Sequence, residues 1–153
     1  MVLSSVSISQ AVFACERIGP VSPADMVREA DVIVRALAVG YAVPPGPANQ
    51  DPPLKFRVIE VIRGKNVPQD FQLPGYPSDR DDFNGGPVPY TVVPKAKGSC
   101  YSTFYRTGAE FLLVMKRRDT SYTVEWYPAG PVNEQLHSPD DPWLAWVRKQ
   151  AQK

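Results

Sequence analysis

Leu54-Lys55-Phe56-Arg57-Val58-Ile59-Glu60-Val61-Ile62-Arg63 decides the fold class. Phe56, Val58 and Ile62 share one face with Glu60, while Lys55, Arg57, Ile59, Val61 and Arg63 take the other. A period of two over ten residues rich in branched side chains is the pattern of a β-strand with one covered face. Upstream, the run Asp31 to Val39 reads as a second long strand, because branched residues pack well on a pleated surface. Downstream, Phe71-Gln72-Leu73 makes a short strand after the turn at Gly64-Lys65-Asn66. Phe111-Leu112-Leu113-Val114-Met115 is apolar throughout, so that strand is expected to be covered on both sides. Tyr122, Val124 and Trp126 alternate with Thr123, Glu125 and Tyr127 in a last strand.

Two helices flank these strands. Ser22-Pro23-Ala24-Asp25 supplies a capping hydroxyl, a proline pre-set for the first helical position and an acid at the positive helix end, predicting a helix over 23–30. Asp141-Pro142 opens the other, with Trp143, Trp146 and Val147 on one stripe at helical spacing. Between them the order is three strands, a long connection over 76–98, and two strands. The expected fold is mainly β, a five-stranded OB-type barrel with short N-terminal and C-terminal helices. Closure of such a barrel hides strand edges that would otherwise pair with other chains. A connection as long as 76–98 inside a compact domain usually carries function or is mobile.

The 153 residues suffice for one domain with a real core. Seventeen prolines, clustered at 44–53, 68–77, 87–94 and 128–142, fit loops between strands better than helices. A net charge of +1 argues against long-range attraction to nucleic acid or an anionic membrane as the chief role. No stretch reaches the roughly eighteen apolar residues of a membrane span, so no membrane span is expected.

The chain has two cysteines, Cys15 and Cys100, and the fourteen residues before Cys15 carry no charge. Residues 1–14 read as a signal-peptide remnant or leader, leaving 15–153 as the single domain. Export to the envelope or the outside is the expected location, and it would permit a Cys15–Cys100 disulfide. The segment lacks the positive start of a complete signal, so an ordinary N-terminal strand in a cytosolic protein stays open. Lipoprotein processing at Val12-Phe13-Ala14-Cys15 also stays open, although bulky Phe13 fits that site poorly.

With these pieces in place the chain resembles the bacterial relatives of tissue inhibitors of metalloproteinases, which carry the netrin-like form of the OB barrel. The residues that carry the resemblance are Cys15; Ala30 to Val34; Phe56-Arg57-Val58 through Arg63-Gly64; Gly98-Ser99-Cys100; Phe104; Thr107-Gly108; and Glu110 to Val114. The resemblance implies a bond from the leading cysteine to a mid-chain cysteine, here Cys100. In the animal inhibitors the mature cysteine's α-amino group and carbonyl oxygen chelate a protease's catalytic zinc. Here the inhibitors' second cysteine is replaced by Arg17, and their small hydroxyl residue by Glu16. A carboxylate pushed toward an apolar pocket behind the zinc costs binding.

The expected function is therefore an exported, non-enzymatic protein-binding module with a disulfide-tethered N-terminus. Its binding ridge is predicted at Cys15, Glu16, Arg17 and Ile18 with Ser99, Cys100, Tyr101 and Ser102. The expected partner is a protein, with a zinc metalloprotease as the alternative that the Cys15 terminus would inhibit. A nucleic-acid-binding barrel using Tyr101, Phe104, Tyr105, Trp126 and Tyr127 as stacking platform is the second alternative. No cofactor is expected. Asp79-Arg80-Asp81-Asp82-Phe83-Asn84-Gly85-Gly86 loosely gathers oxygens but departs from calcium-loop spacing, and reads as a solvated turn. His137, the only histidine, reads as a surface residue; Lys116-Arg117-Arg118 reads as a solvated hairpin turn.

Overall fold

The computed structural model describes residues 22–47, 52–81, 83, 88–89, 104–118, 121–125 and 132–153. In chain order the elements are α1 (Pro23–Glu29), β1 (Val32–Tyr41), β2 (Leu54–Arg63), β3 (Asp70–Leu73), β4 (Tyr76–Ser78), β5 (Phe104–Arg106), β6 (Glu110–Arg118), β7 (Ser121–Glu125), β8 (Val132–Gln135) and α2 (Pro142–Ala151). The protein is mainly β with two short helices, as expected. The expected count of five strands is corrected: among the described residues eight strands form a six-stranded sheet and a separate two-stranded one. The three additional strands, β4, β5 and β8, have only three or four residues each, too few for alternation to stand out from loop sequence.

The main sheet follows the path β3-β2-β1-β6-β7, all antiparallel, with β8 also on β6. Its end strands, β3 and β7, come within 8 Å of each other, so the sheet curls into a half-barrel. On β6, Lys116 pairs with Glu125 and Val114 with Val132. Strands β7 and β8 are thus two stretches of one return along the same edge, separated by residues 126–131.

The curl gives the sheet two cores. Val34, Ala36, Phe56, Val58, Phe71, Leu73, Tyr105, Phe111 and Leu113 fill the concave side. Ile33, Leu112 and Val114 on the convex side lie under α1 and α2, against Met26, Val27, Trp143, Leu144 and Val147. Each large side chain so buried contributes about 1.5–3 kcal/mol. Because β1 and β6 send alternate residues to opposite sides, both faces of their apolar runs are covered.

Strand β2 departs from simple alternation. Arg35 pairs with Glu60 and Ala36 with Val58, leaving Ile59 as the extra residue of a bulge. Past that bulge the faces exchange. Ile62 therefore packs under the helices, not beside Phe56 and Val58 as expected.

Both predicted helix starts hold. Asp25 N–H donates to Ser22 Oγ at 3.4 Å, and Trp143 N–H donates to Asp141 Oδ1 at 2.8 Å. Arg63, at the end of β2, locks the other ends of both helices. Its guanidinium donates to the Val27 and Arg28 carbonyls of α1 and, at 3.2 Å, to the Ala151 carbonyl of α2. These are carbonyls that a helix cannot satisfy internally, and they carry its partial negative charge.

Candidate functional site

The cysteines and the predicted ridge, Cys15, Glu16, Arg17, Ile18, Ser99, Cys100, Tyr101 and Ser102, lie outside the described residues. So do Trp126 and Tyr127. The described part of the 76–98 connection lies beside the segment that follows Ser102, and there it builds a surface of its own.

Strands β4 and β5 pair in parallel, with Tyr76 opposite Phe104, Pro77 opposite Tyr105 and Ser78 opposite Arg106. Alternation sends Tyr105 inward and its two neighbours outward. Tyr105 is fully buried, edge-on to Phe56 at 4.8 Å and to Phe111 at 5.1 Å between ring centroids. Phe104 is 55% exposed and rests against Tyr76, ring centroids 5.8 Å apart. The expected platform of Phe104 and Tyr105 is thus split between solvent and core. One of the two is an anchor, and only the other is available to a ligand.

Arg106, outward beside Phe104, forms an ion pair with Asp81 of the connection. The same Asp81 Oδ1 accepts from Gln135 Nε2 at 2.6 Å, and Gln135, at the end of β8, is buried. The Gln135 hydrogen bond, followed by that of Arg106, holds the Asp81 carboxyl below the usual aspartate range. Asp81 is therefore a fixed anion engaged by two donors. Ser78 Oγ accepts from Arg80 N–H at 3.0 Å, closing the turn expected at this acidic stretch. Among the described residues no cluster of histidine, cysteine or carboxylate side chains could hold a metal.

Phe83, 39% exposed, stacks on the His137 ring at 3.8 Å and 20°. His137 is half exposed, yet it is fastened from below: its backbone N–H donates to Asp141 Oδ2 at 3.0 Å, and its Nδ1 lies 2.9 Å from the same oxygen. Burial pushes the Asp141 carboxyl up, but the hydrogen bonds from the His137 backbone, the His137 ring and the Trp143 N–H outweigh it and leave the group below its usual range. Asp141 therefore caps α2 with one oxygen and holds His137 with the other.

The result is a ridge of Tyr76, Phe104, Arg106, Phe83 and His137, backed by the concave core, by β8 and by the start of α2. Sequence reasoning marked the connection as one that carries function or is mobile, and missed Tyr76, Arg106, Gln135 and the His137–Phe83 stack. Arg106 lies 25 residues from Asp81, and Gln135 lies 54 from it. A parallel pair of three-residue strands leaves no local signal that would bring them together. A scan of the chain against protein-family models and a search of curated proteins found no match.

Proposed function

We propose that the protein is an exported, non-enzymatic protein-binding module built on a netrin-like, OB-type barrel, with its mature N-terminus tethered through Cys15 and Cys100. The strand path β3-β2-β1-β6-β7, whose end strands touch, supports the barrel class. The binding role rests on one observation: Phe104 is held out to solvent on a strand whose next residue, Tyr105, is fixed in the core. Covering an exposed aromatic that is already immobile gains apolar burial with little ordering cost. Aromatic and arginine side chains on a firm backing are also the groups that dominate protein interfaces.

Three measurements test the reading. Intact mass of the native protein is expected to show residues 1–14 removed and two hydrogens missing. A retained leader with two free thiols overturns the exported, tethered form. For the surface, a photoreactive phenylalanine analogue is placed at position 104 and, as control, at exposed Ala145 on α2. Discrete protein adducts are expected from 104 alone, and equal yields from both positions would remove Phe104 from any interface. Phe104→Ala is expected to weaken capture of that partner about tenfold or more while changing folding stability by no more than about 0.5 kcal/mol.

A further inference from the structure

The net charge of +1 conceals a local surplus of lysines at one end of the sheet. One end is defined by Arg63, which holds the last turns of both helices. Lys65 follows it on the turn out of β2. Lys149 and Lys153 lie on and just past the last turn of α2. Lys116 joins them from β6, next to Met115, whose carbonyl accepts the Asp31 N–H at the start of β1. Lys65, Lys149 and Lys153 are exposed and Lys116 is half-buried, and none of the four has an ion-pair partner among the described residues.

The carboxylates at this end are mostly engaged. Asp25 and Glu29 pair with Arg28, and Asp31 Oδ2 accepts the Arg117 N–H at 2.9 Å. Glu125 lies opposite Lys116 in the β6–β7 backbone register, so Lys116 is not counted toward the surplus. Lys65, Lys149 and Lys153 are left as a positive surplus facing solvent. The opposite end, where Gly108 N–H and Ala38 N–H knit the β5–β6 turn to β1, mixes signs: Asp79, Asp81 and Asp140 stand there with Arg80 and Arg106, Asp81 is paired with Arg106, and Asp141 is buried.

We propose that the lysine end is a docking surface for an anionic phospholipid bilayer. Ammonium groups on flexible stems are point charges suited to a crowd of headgroup phosphates, which demand no fixed geometry. Nucleic acid is the less favoured occupant. The exposed aromatics Phe83 and Phe104, on which bases would stack, lie at the other end, and no exposed aromatic accompanies the lysines among the described residues. The orientation leaves the aromatic ridge pointing away from the bilayer, but the proposal does not depend on that ridge binding anything.

The test uses the full chain in sedimentation with vesicles of phosphatidylcholine alone and of equimolar phosphatidylcholine and phosphatidylglycerol. Binding is expected only to the anionic vesicles and is expected to be reversed by salt. The triple variant Lys65→Glu, Lys149→Glu, Lys153→Glu is expected to lower partitioning about a hundredfold or more, whereas Arg80→Glu at the far end leaves it within about twofold. All four substitutions fall at exposed positions, and circular dichroism checks that the fold is kept. Equal partitioning to neutral vesicles, undiminished binding by the triple variant, or binding to duplex DNA at a salt concentration where vesicles are ignored would each overturn the proposal.

Discussion

Asp141 concentrates much of the local energetics in one buried carboxylate, 1% exposed. Its two oxygens accept the Trp143 N–H and the His137 N–H and meet the His137 ring. Asn is nearly the same shape but offers one acceptor where two are used. Asp141→Asn is therefore expected to cost about 1–2 kcal/mol in urea unfolding at neutral pH. The pH dependence has a definite sign. The folded carboxyl titrates below an unfolded aspartate, about 3.9, so its contribution is complete above that value. As the pH falls further, the unfolded chain takes the proton first, and the contribution disappears through the folded-state value. The stability gap between wild type and Asp141→Asn should accordingly shrink from about pH 7 to about pH 3; a constant gap would mean that the charge contributes nothing.

At the level of elements, Arg63 decides how the helices sit on the sheet. Replacing it by Met keeps the aliphatic stem but removes the donors to Val27, Arg28 and Ala151. The expected loss is about 2–3 kcal/mol, and the last-turn amides of α1 and α2 should lose exchange protection together. Loss in only one helix would show that the two are held independently. The elements also show where sequence was sufficient. The bounds of β2 and the caps of both helices were legible because alternation and capping are local. Ile62 was assigned to the wrong face because Ile59 bulges, and a bulge is set by the partner strand rather than by β2 itself. Strands β4, β5 and β8 were missed because each is defined by a distant partner. The ridge inherits that blindness: the 76–98 connection was recognisable as a candidate, but Arg106, Asp81 and Gln135 meet only through those three strands. Tyr105 and Phe104, alike in sequence, are separated by the single-residue alternation of a strand too short to see.

Across the whole molecule, the concave and convex cores are not separate units, since Val32 and Ile33, or Leu112 and Leu113, are neighbours on one strand with side chains in different cores. One core cannot melt without stripping the backing from the other. In a Trp126→Phe background, urea unfolding followed by tryptophan emission, which then reports Trp143 and Trp146 in the convex layer, should coincide with unfolding followed by far-ultraviolet circular dichroism, which reports the strands. Two separated midpoints would mean that the helical layer detaches before the barrel. Whole-chain counting also averages away a local feature: Lys65, Lys149 and Lys153 are all exposed where β2 and α2 end.

Arg63 is joined to α1 by a contact spanning 36 positions and to α2 by one spanning 88. A ribosome delivers those partners at different times. The grip on the first helix can close as soon as Arg63 emerges, but the grip on Ala151 must wait until Ala151 itself has been made. Until then the convex layer lacks its larger lid, and the growing chain exposes Ile33 and Leu112 to whatever chaperone is nearby.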